Sequence, residues 1–410
     1  MAASGPERVT CCIAGCGPAG AMLGFLLARA GVEVLVLEKH GDFLRDFRGD
    51  TIHPSTLEVV DELGLIDEFL SLPHRKVTEL NAVLDQGSFR LSDFSRLRRR
   101  HRYLVFMPQW DFLDFITSRA GERSGFGLRM NAEVLEPVRV NGRIAGVRYR
   151  AGDGDAQEAR ADLTVAADGR GSALRRSAGL TPTSFGAPMD VLWFRISRRE
   201  SDPENGLGRI TAGRILAFID RGDYWQIACV IPKGSAERER VRGIEAFRDS
   251  LARLAPFLAD RVGELESWDD LSLLTVQVDR LARWHRPGLL CIGDAAHAMS
   301  PIGGVGINLA IQDAVAAANL LAAPLRGGMV TEADLARVQR RRMLPTIATQ
   351  LLQRAIQRRV VAPTLAGRVP SRPPRVVRLL SRYPALQVIP ARLIGVGFRP
   401  EHVRTGSVAP

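Results

Sequence analysis

Three groups of residues have types and spacings that suit the binding of a phosphate-bearing cofactor. Gly15, Gly17 and Gly20 form Gly-x-Gly-x-x-Gly with Pro18 and Ala19 between them, Asp168 precedes Gly169, and Gly293 precedes Asp294. In the first group Gly15 permits a tight turn, Gly17 lets backbone approach a pyrophosphate, and Gly20 lets a helix pack closely on a strand. The amides at the start of that helix then face the phosphates. Glu38 follows about 20 residues later, the distance at which a carboxylate meets ribose hydroxyls. An acid there disfavours a 2′-phosphate, so FAD or NAD suits the site better than NADP. Each Asp-Gly or Gly-Asp pair alone reads as an ordinary turn; their order along one chain is the stronger signal.

The surrounding elements supply the context these motifs need. Val9 to Ala14 is a short apolar run, Ala21 to Ala30 reads as a helix of small residues, and residues 33 to 37 form a second strand that ends at Glu38. Residues 161 to 167 read as a strand feeding Asp168, which turns into a helix. Residues 288 to 293 do the same for Asp294, and Gly303 to Asn308 opens a long helix over Leu309 to Leu321. A carboxylate at such a strand end can hydrogen-bond ribityl hydroxyls, while the helix amides face developing negative charge.

Composition sets the bounds. The chain has 410 residues, of which 46% are hydrophobic, enough to bury a large core in two domains or one elaborated α/β unit. Its formal net charge of +11 invites a nucleic-acid reading. Lysine, however, occurs only at Lys39, Lys76 and Lys233, and arginine clusters such as Arg98 to Arg100 and Arg340 to Arg342 read as solvated faces, so no nucleic-acid partner is expected. The cysteines, Cys11, Cys12, Cys16, Cys229 and Cys291, show neither metal spacing nor a Cys-x-x-Cys pair, and an odd number in apolar strands reads as reduced thiols in a cytoplasmic protein. The apolar stretch from Cys11 is explained by the nucleotide motif rather than by a targeting signal, and no uninterrupted apolar run reaches the roughly 18 residues of a spanning helix.

Together these motifs resemble the FAD-dependent aromatic monooxygenases of the para-hydroxybenzoate hydroxylase type, the class A flavoprotein hydroxylases, over residues 8 to 345. Gly15, Gly17, Gly20 and Glu38 match the ADP-binding fingerprint; Asp168, Gly169, Ser172 and Arg175 match the Asp-Gly motif; Gly293 to His297, Pro301, Gly304, Gly306 and Asn308 match the flavin and ribityl motif. The resemblance also implies an FAD-contacting arginine at Arg48, a polar cofactor contact at Gln109, and cofactor contacts at Lys39 and Ile307. It implies a reaction: NADH or NADPH reduces the flavin, O2 adds to give a C4a-hydroperoxide, and one oxygen passes to an aromatic or polyketide-like small molecule. The amides of Gly306, Ile307 and Asn308 would stabilise negative charge on the flavin. No second complete Gly-x-Gly-x-x-Gly follows, since Gly125-x-Gly127, Gly206-x-Gly208 and Gly395-x-Gly397 lack the third glycine. A nicotinamide donor would therefore bind transiently. The same cofactor fold also serves a reductase or desaturase of prenyl-type or other apolar substrates, or a flavin-binding scaffold or redox sensor.

The expected fold is α/β: a Rossmann-like FAD-binding domain (residues 1–75, 101–182 and 270–330), an inserted antiparallel β-sheet substrate domain (76–100 and 183–269) and a C-terminal amphipathic helical segment (331–410). Gly186 to Trp193, Ile215 to Ile219 and Tyr224 to Ile231 read as strands of a roof over the flavin, with Asp220 to Asp223 as a hairpin turn. Phe106, Phe194, Phe218, Trp225 and Met299 are candidate lining, although core packing is the commoner role for any one such residue. His53, before a proline near the expected flavin edge, is the candidate catalytic base; His297 reads as a structural hydrogen-bonding residue and Arg195 as a solvated one. Segments 332–361 and 374–396 read as helices that pack on the flavin domain, with peripheral contact to an anionic membrane as the alternative. The expected assembly is a monomer or homodimer.

Overall fold

The computed structural model describes residues 7–44, 51–203, 207–368 and 373–408. The strand Glu7–Ala14 is apolar and fully buried over Cys11 to Ala14, where both of its faces are covered, as a parallel sheet requires. It pairs in parallel with Val34–Leu37 on one side and with Ala156–Ala166 on the other. Phe126–Arg129 extends the sheet beyond Val34–Leu37, and Leu289–Cys291 extends it beyond Ala156–Ala166. The first helix, Pro18–Arg29, starts with proline in its first turn, where the missing N–H costs nothing, and buries almost every residue. A hairpin arm, Ala132–Val140 and Arg143–Ala151, pairs antiparallel with the early part of Ala156–Ala166.

A second, seven-stranded sheet stands apart from the first. Its order is Ser272–Leu274, Met189–Ser197, Tyr224–Pro232, Arg214–Asp220, Leu207–Thr211, Glu79–Leu84 and Gly87–Asp93, so the early hairpin at 79–93 joins strands from the later segment. The turn at Asp220 to Asp223 is closed by the Arg221 amide donating to the Tyr224 carbonyl and the Gly222 amide donating to the Asp220 side chain. Both faces of this sheet are apolar. Leu192, Phe194, Ile196, Leu216, Phe218, Trp225 and Ile227 point to one side, beneath the helix Ile244–Leu254. Met189, Val191, Trp193, Ile215, Ala217, Ala228 and Val230 point to the other, toward Ile302, Ile356, Val361 and Leu365.

That alternation corrects part of the expected lining. Phe194, Phe218 and Trp225 lie on the face turned away from the flavin loop, because a residue one step along a strand points the opposite way. Phe106 packs instead with Phe94, Leu97 and Ala391. Met299 is buried beside Gly306, and Arg195 is exposed.

The helix Val305–Arg326 runs under the parallel sheet against Pro18–Arg29. With its preceding turn it is long and apolar enough to cross a membrane, yet 72% of that window is buried, as in a core helix. This exceeds the apolar run expected from the sequence, because alanines carry the pattern past Gln312 and Asp313. The helix Glu332–Ile356 follows, capped by reciprocal bonds between Thr331 and Asp334, and passes through a π-helical turn, Gln357–Val361, into Ala362–Leu365. Beyond the break, Arg375–Arg382 and Val388–Gly395 are separate short helices against the edge of the second sheet.

Candidate active site

The loops that follow Glu7–Ala14, Val34–Leu37, Ala156–Ala166 and Leu289–Cys291 all emerge at the carboxyl edge of the parallel sheet, where open α/β sheets bind ligands. Gly15 has φ +92°, and a Cβ there would lie 2.5 Å from the Ala167 carbonyl oxygen, so the first glycine turn is pressed against the approach to Asp168. A Cβ on Gly20 would meet the Gly15 oxygen at 1.9 Å, whereas one on Gly17 would meet nothing within 4 Å. Two of these glycines therefore serve protein packing. Gly17 borders open space.

Glu38 closes the loop from the neighbouring strand. Its carboxylate accepts from the Cys16 amide at 2.9 Å and from the His40 amide at 3.2 Å, and lies 2.6 Å from the His40 ring. Burial opposes its ionisation, but these bonds outweigh burial and hold its pKa below the usual carboxylate value. Asp168 is the reverse case. One carboxylate oxygen accepts from the Ala173 amide at 2.9 Å, the other is buried without a partner, and burial pushes its pKa up. Asp294 pairs with Arg170 at 3.0 Å, and Gly293 abuts Ala19 and Ala310, so the third motif meets the first.

The loop before Val305–Arg326 turns through Pro301, Gly303 (φ +78°) and Gly304 (φ +62°). Asn308 holds it: its side-chain oxygen accepts from the His53 amide and the Thr56 hydroxyl, and its nitrogen donates to the Thr51 and Gly304 carbonyls. The Asn308 side chain is thus used inside the protein, and its backbone amide, a full turn in from the N-cap Gly304, falls where it bonds back to that residue, which leaves the first-turn amides of Gly306 and Ile307 directed out of the helix start. Lys39 is exposed beside Glu38, and Gln109 is half-buried as the first residue of the helix Gln109–Gly121. Arg48 lies outside the described residues. His53 is 1% exposed; its Nδ1 donates to the Ile394 carbonyl at 2.8 Å, and burial lowers its pKa to about 4 against the smaller opposing pull of the Ile394 and Gly303 carbonyls. The enclosed imidazole is thereby tied to the C-terminal helix through Nδ1, while its Nε2 is buried without a hydrogen-bond partner.

Several important groups lie beyond the motifs. The His297 Nε2 donates to Asp313 at 2.6 Å, and Asp313 also accepts from the Gly293 amide at 3.2 Å and from the Arg342 Nε at 2.9 Å. Burial opposes the Asp313 charge, but His297 and Arg342 outweigh it and lower its pKa. A single acid within the apolar run 309–318 was the available signal for this network. Gln350 and Gln353 grip the segment 298–302 through its backbone. The five cysteines are free and buried; burial pushes Cys229 up to about 11 and Cys12 to about 12, so they remain thiols. Among the described residues no group of His, Cys, Asp and Glu has the arrangement of a metal site.

This arrangement fits FAD. Open space at Gly17 lies beside a helix start, a carboxylate stands on the adjoining strand, Asp168 presents an unpartnered buried oxygen, and the Gly303–Gly304 turn leads into a second helix start. Fold and site together define a flavin-binding protein with a second, largely antiparallel sheet. The chain belongs to the FAD binding domain family, whose model matches residues 8–355. It is 32% identical over 399 residues to a 6-methylpretetramide 4-monooxygenase of Streptomyces rimosus, covering 93% of this chain and 91% of that protein. Its fold is similar to that of an anhydrotetracycline hydroxylase of Streptomyces rimosus, with TM-score 0.76, 26% identity, and 95% and 76% of the two chains covered. It is also similar to a probable FAD-dependent monooxygenase of Pseudomonas aeruginosa, with TM-score 0.73, 25% identity, and 88% and 98% covered. The protein is an FAD-dependent monooxygenase of the flavoprotein hydroxylase class.

Proposed function

We propose that the enzyme uses NADH or NADPH and O2 to place one oxygen atom on a planar, polyketide-type aromatic molecule. The observation that carries the reading is the second sheet's apolar face, Val191, Trp193, Ile215, Ala217 and Val230, set against Ile302 of the flavin loop. Flat fused rings suit such a wall, and likeness to proteins named for pretetramide and anhydrotetracycline substrates supports the class. FAD, when bound, supplies the redox chemistry by passing electrons from the nicotinamide to O2.

The residues around it do the rest. Gly15, Gly17 and the helix that follows take the pyrophosphate, Glu38 the adenosine ribose, and Asp168 and Asp294 the ribityl hydroxyls. The amides of Gly306 and Ile307 hold negative charge on the pyrimidine edge of the ring system. Ile302, Ile356, Val361 and Leu365 exclude water from the face where oxygen transfer occurs.

The test is nicotinamide oxidation by purified yellow protein against hydroxylated naphthacenes and anthraquinones under isotopically heavy dioxygen. Substrate-stimulated oxidation with one heavy oxygen in the product is expected. A product differing by two hydrogens would replace this reading with a reductase or desaturase, and bound FAD without stimulation by any substrate would replace it with a flavin scaffold.

A further inference from the structure

Along the bridging helix and its π-helical continuation, Gln350, Gln353 and Gln357 follow one another at i, i+3 and i+7, so they share one face. All three are at most 3% exposed. Gln350 donates to the Asp279 and Ala298 carbonyls at 2.7 and 3.2 Å and accepts from Arg280 at 2.6 Å. Gln353 accepts from the Ser300 amide at 3.1 Å and donates to the Ser300 and Ile302 carbonyls at 2.8 and 2.9 Å. The third breaks the series: the Gln357 Nε2 is buried and has no hydrogen-bond partner.

A second unmatched donor belongs to the same region. The Trp193 Nε1 is also buried without a partner, as is that of Trp268 in the cluster on the other face of the sheet, whereas the fully buried indoles of Trp225 and Trp284 donate to Asp202 and to the Leu281 carbonyl. Trp193 faces the apolar cluster that contains Ile302, Ile356 and Val361; Ile356 directly precedes Gln357, and Val361 ends the π-helical turn that Gln357 begins. An unmatched buried donor is destabilising, so one in a native fold calls for an explanation. The π-helical turn that begins at Gln357 is itself a feature that concentrates at functional sites.

We propose that Trp193 and Gln357 are the polar anchors of the substrate chamber, each donating an N–H to an oxygen of a flat, otherwise apolar substrate. This rests on the chamber assigned under the proposed function. Two N–H donors within apolar walls select an acceptor, which means a ring carbonyl or a phenolate oxygen. A purely hydrocarbon ring system would leave both donors unsatisfied. Specificity then arises from unmatched donors rather than from shape alone.

The test uses the FAD-loaded full chain with two probes: a dihydroxyanthraquinone, which carries acceptors, and anthracene, which has none. Binding is read by perturbation of the flavin spectrum and by ligand-induced thermal shift. Gln357→Leu and Trp193→Phe are each expected to weaken dihydroxyanthraquinone binding about tenfold, which is about 1.4 kcal/mol. Gln357→Leu should leave FAD content and anthracene binding unchanged and, unliganded, should melt no lower than wild type, since a burdensome donor has gone; Trp193→Phe, which also trims the apolar wall, should weaken dihydroxyanthraquinone binding more than anthracene binding. Gln357→Glu should bind the probe more weakly still, because a carboxylate repels an oxygen acceptor. Variants that bind both probes like wild type would overturn the assignment, as would a wild type that binds neither probe. Loss of FAD or of unliganded stability in Gln357→Leu would also overturn it, by assigning that donor to the cofactor or to the fold. If the anchor effects hold but no oxygen enters any product, the anchors stand and the proposed reaction falls.

Discussion

His53 illustrates how a residue type can be noticed in the sequence and its role still be set by packing. An imidazole beside a flavin loop looks like a base, yet this one donates to the Ile394 carbonyl and its backbone amide is bonded to Asn308. Burial lowers its pKa from the ordinary 6.5 to about 4, so the unfolded chain binds the extra proton between those values. The resulting stability is complete above about pH 6.5 and is lost as pH falls toward 4, by at most about 3 kcal/mol. His53→Asn, whose amide can still donate to Ile394, should flatten the fall in urea midpoint between pH 7 and pH 4.5. An unchanged slope would remove His53 as the source. Asp313 presents the opposite case: its position in an apolar helix was visible, but His297 and Arg342 come from 16 residues before and 29 residues after it, a pairing that only the folded chain makes.

Among the elements, the glycine loops were legible because each glycine answers a local requirement of conformation or close approach. The roof was legible as strands but not as an oriented surface. Its strands are apolar on both sides, so period-two alternation could not tell the face toward Ile302 from the face toward the helix Ile244–Leu254. Three of the five lining candidates, Phe194, Phe218 and Trp225, therefore fell on the face away from Ile302. The two inner glycines make a paired prediction at this scale. Gly17→Ala has ordinary backbone angles (φ −72°, ψ −177°) and open space around its Cβ, so the apoprotein should melt like wild type. FAD should nonetheless bind at least about tenfold more weakly, as the methyl takes the place of close backbone approach and at least one phosphate hydrogen bond is lost. Gly20→Ala forces its Cβ onto the Gly15 oxygen, so the apoprotein itself should lose about 1–3 kcal/mol. Melting curves with and without FAD, beside fluorescence titration, separate the two; a Gly17→Ala protein that bound FAD normally would remove that loop from the pyrophosphate site.

Across the whole molecule, the arginine excess that first suggested a polyanionic partner has an internal use. From Leu335 to Pro400 every charged residue is an arginine, and Glu401 is the first carboxylate after Asp334. It binds Arg341 through both oxygens at 2.7 and 3.0 Å and approaches Arg342 at 3.4 Å, while Arg342, 1% exposed, reaches Asp313 behind the flavin loop. The chain that follows is sewn to the first domain by Asn319 with the His402 carbonyl and the Arg404 amide, by Glu62 with the Val403 amide, and by Val408 with the Arg29 carbonyl. The amphipathic character of 331–410 was readable from sequence, but this return path was not, because it depends on single polar contacts at large separation. A chain ending at Phe398 would leave Arg342 buried against one carboxylate instead of two. Removing one partner of such a group costs about 3–5 kcal/mol, so the truncated protein should unfold at markedly lower urea and release FAD more readily than the intact chain. Glu401→Gln, which still accepts from Arg341, should fall between them. Equal urea midpoints for all three would mean that the tail only lies on the flavin domain; the graded order would mean that Glu401 closes the domain on its cofactor from the far end of the chain.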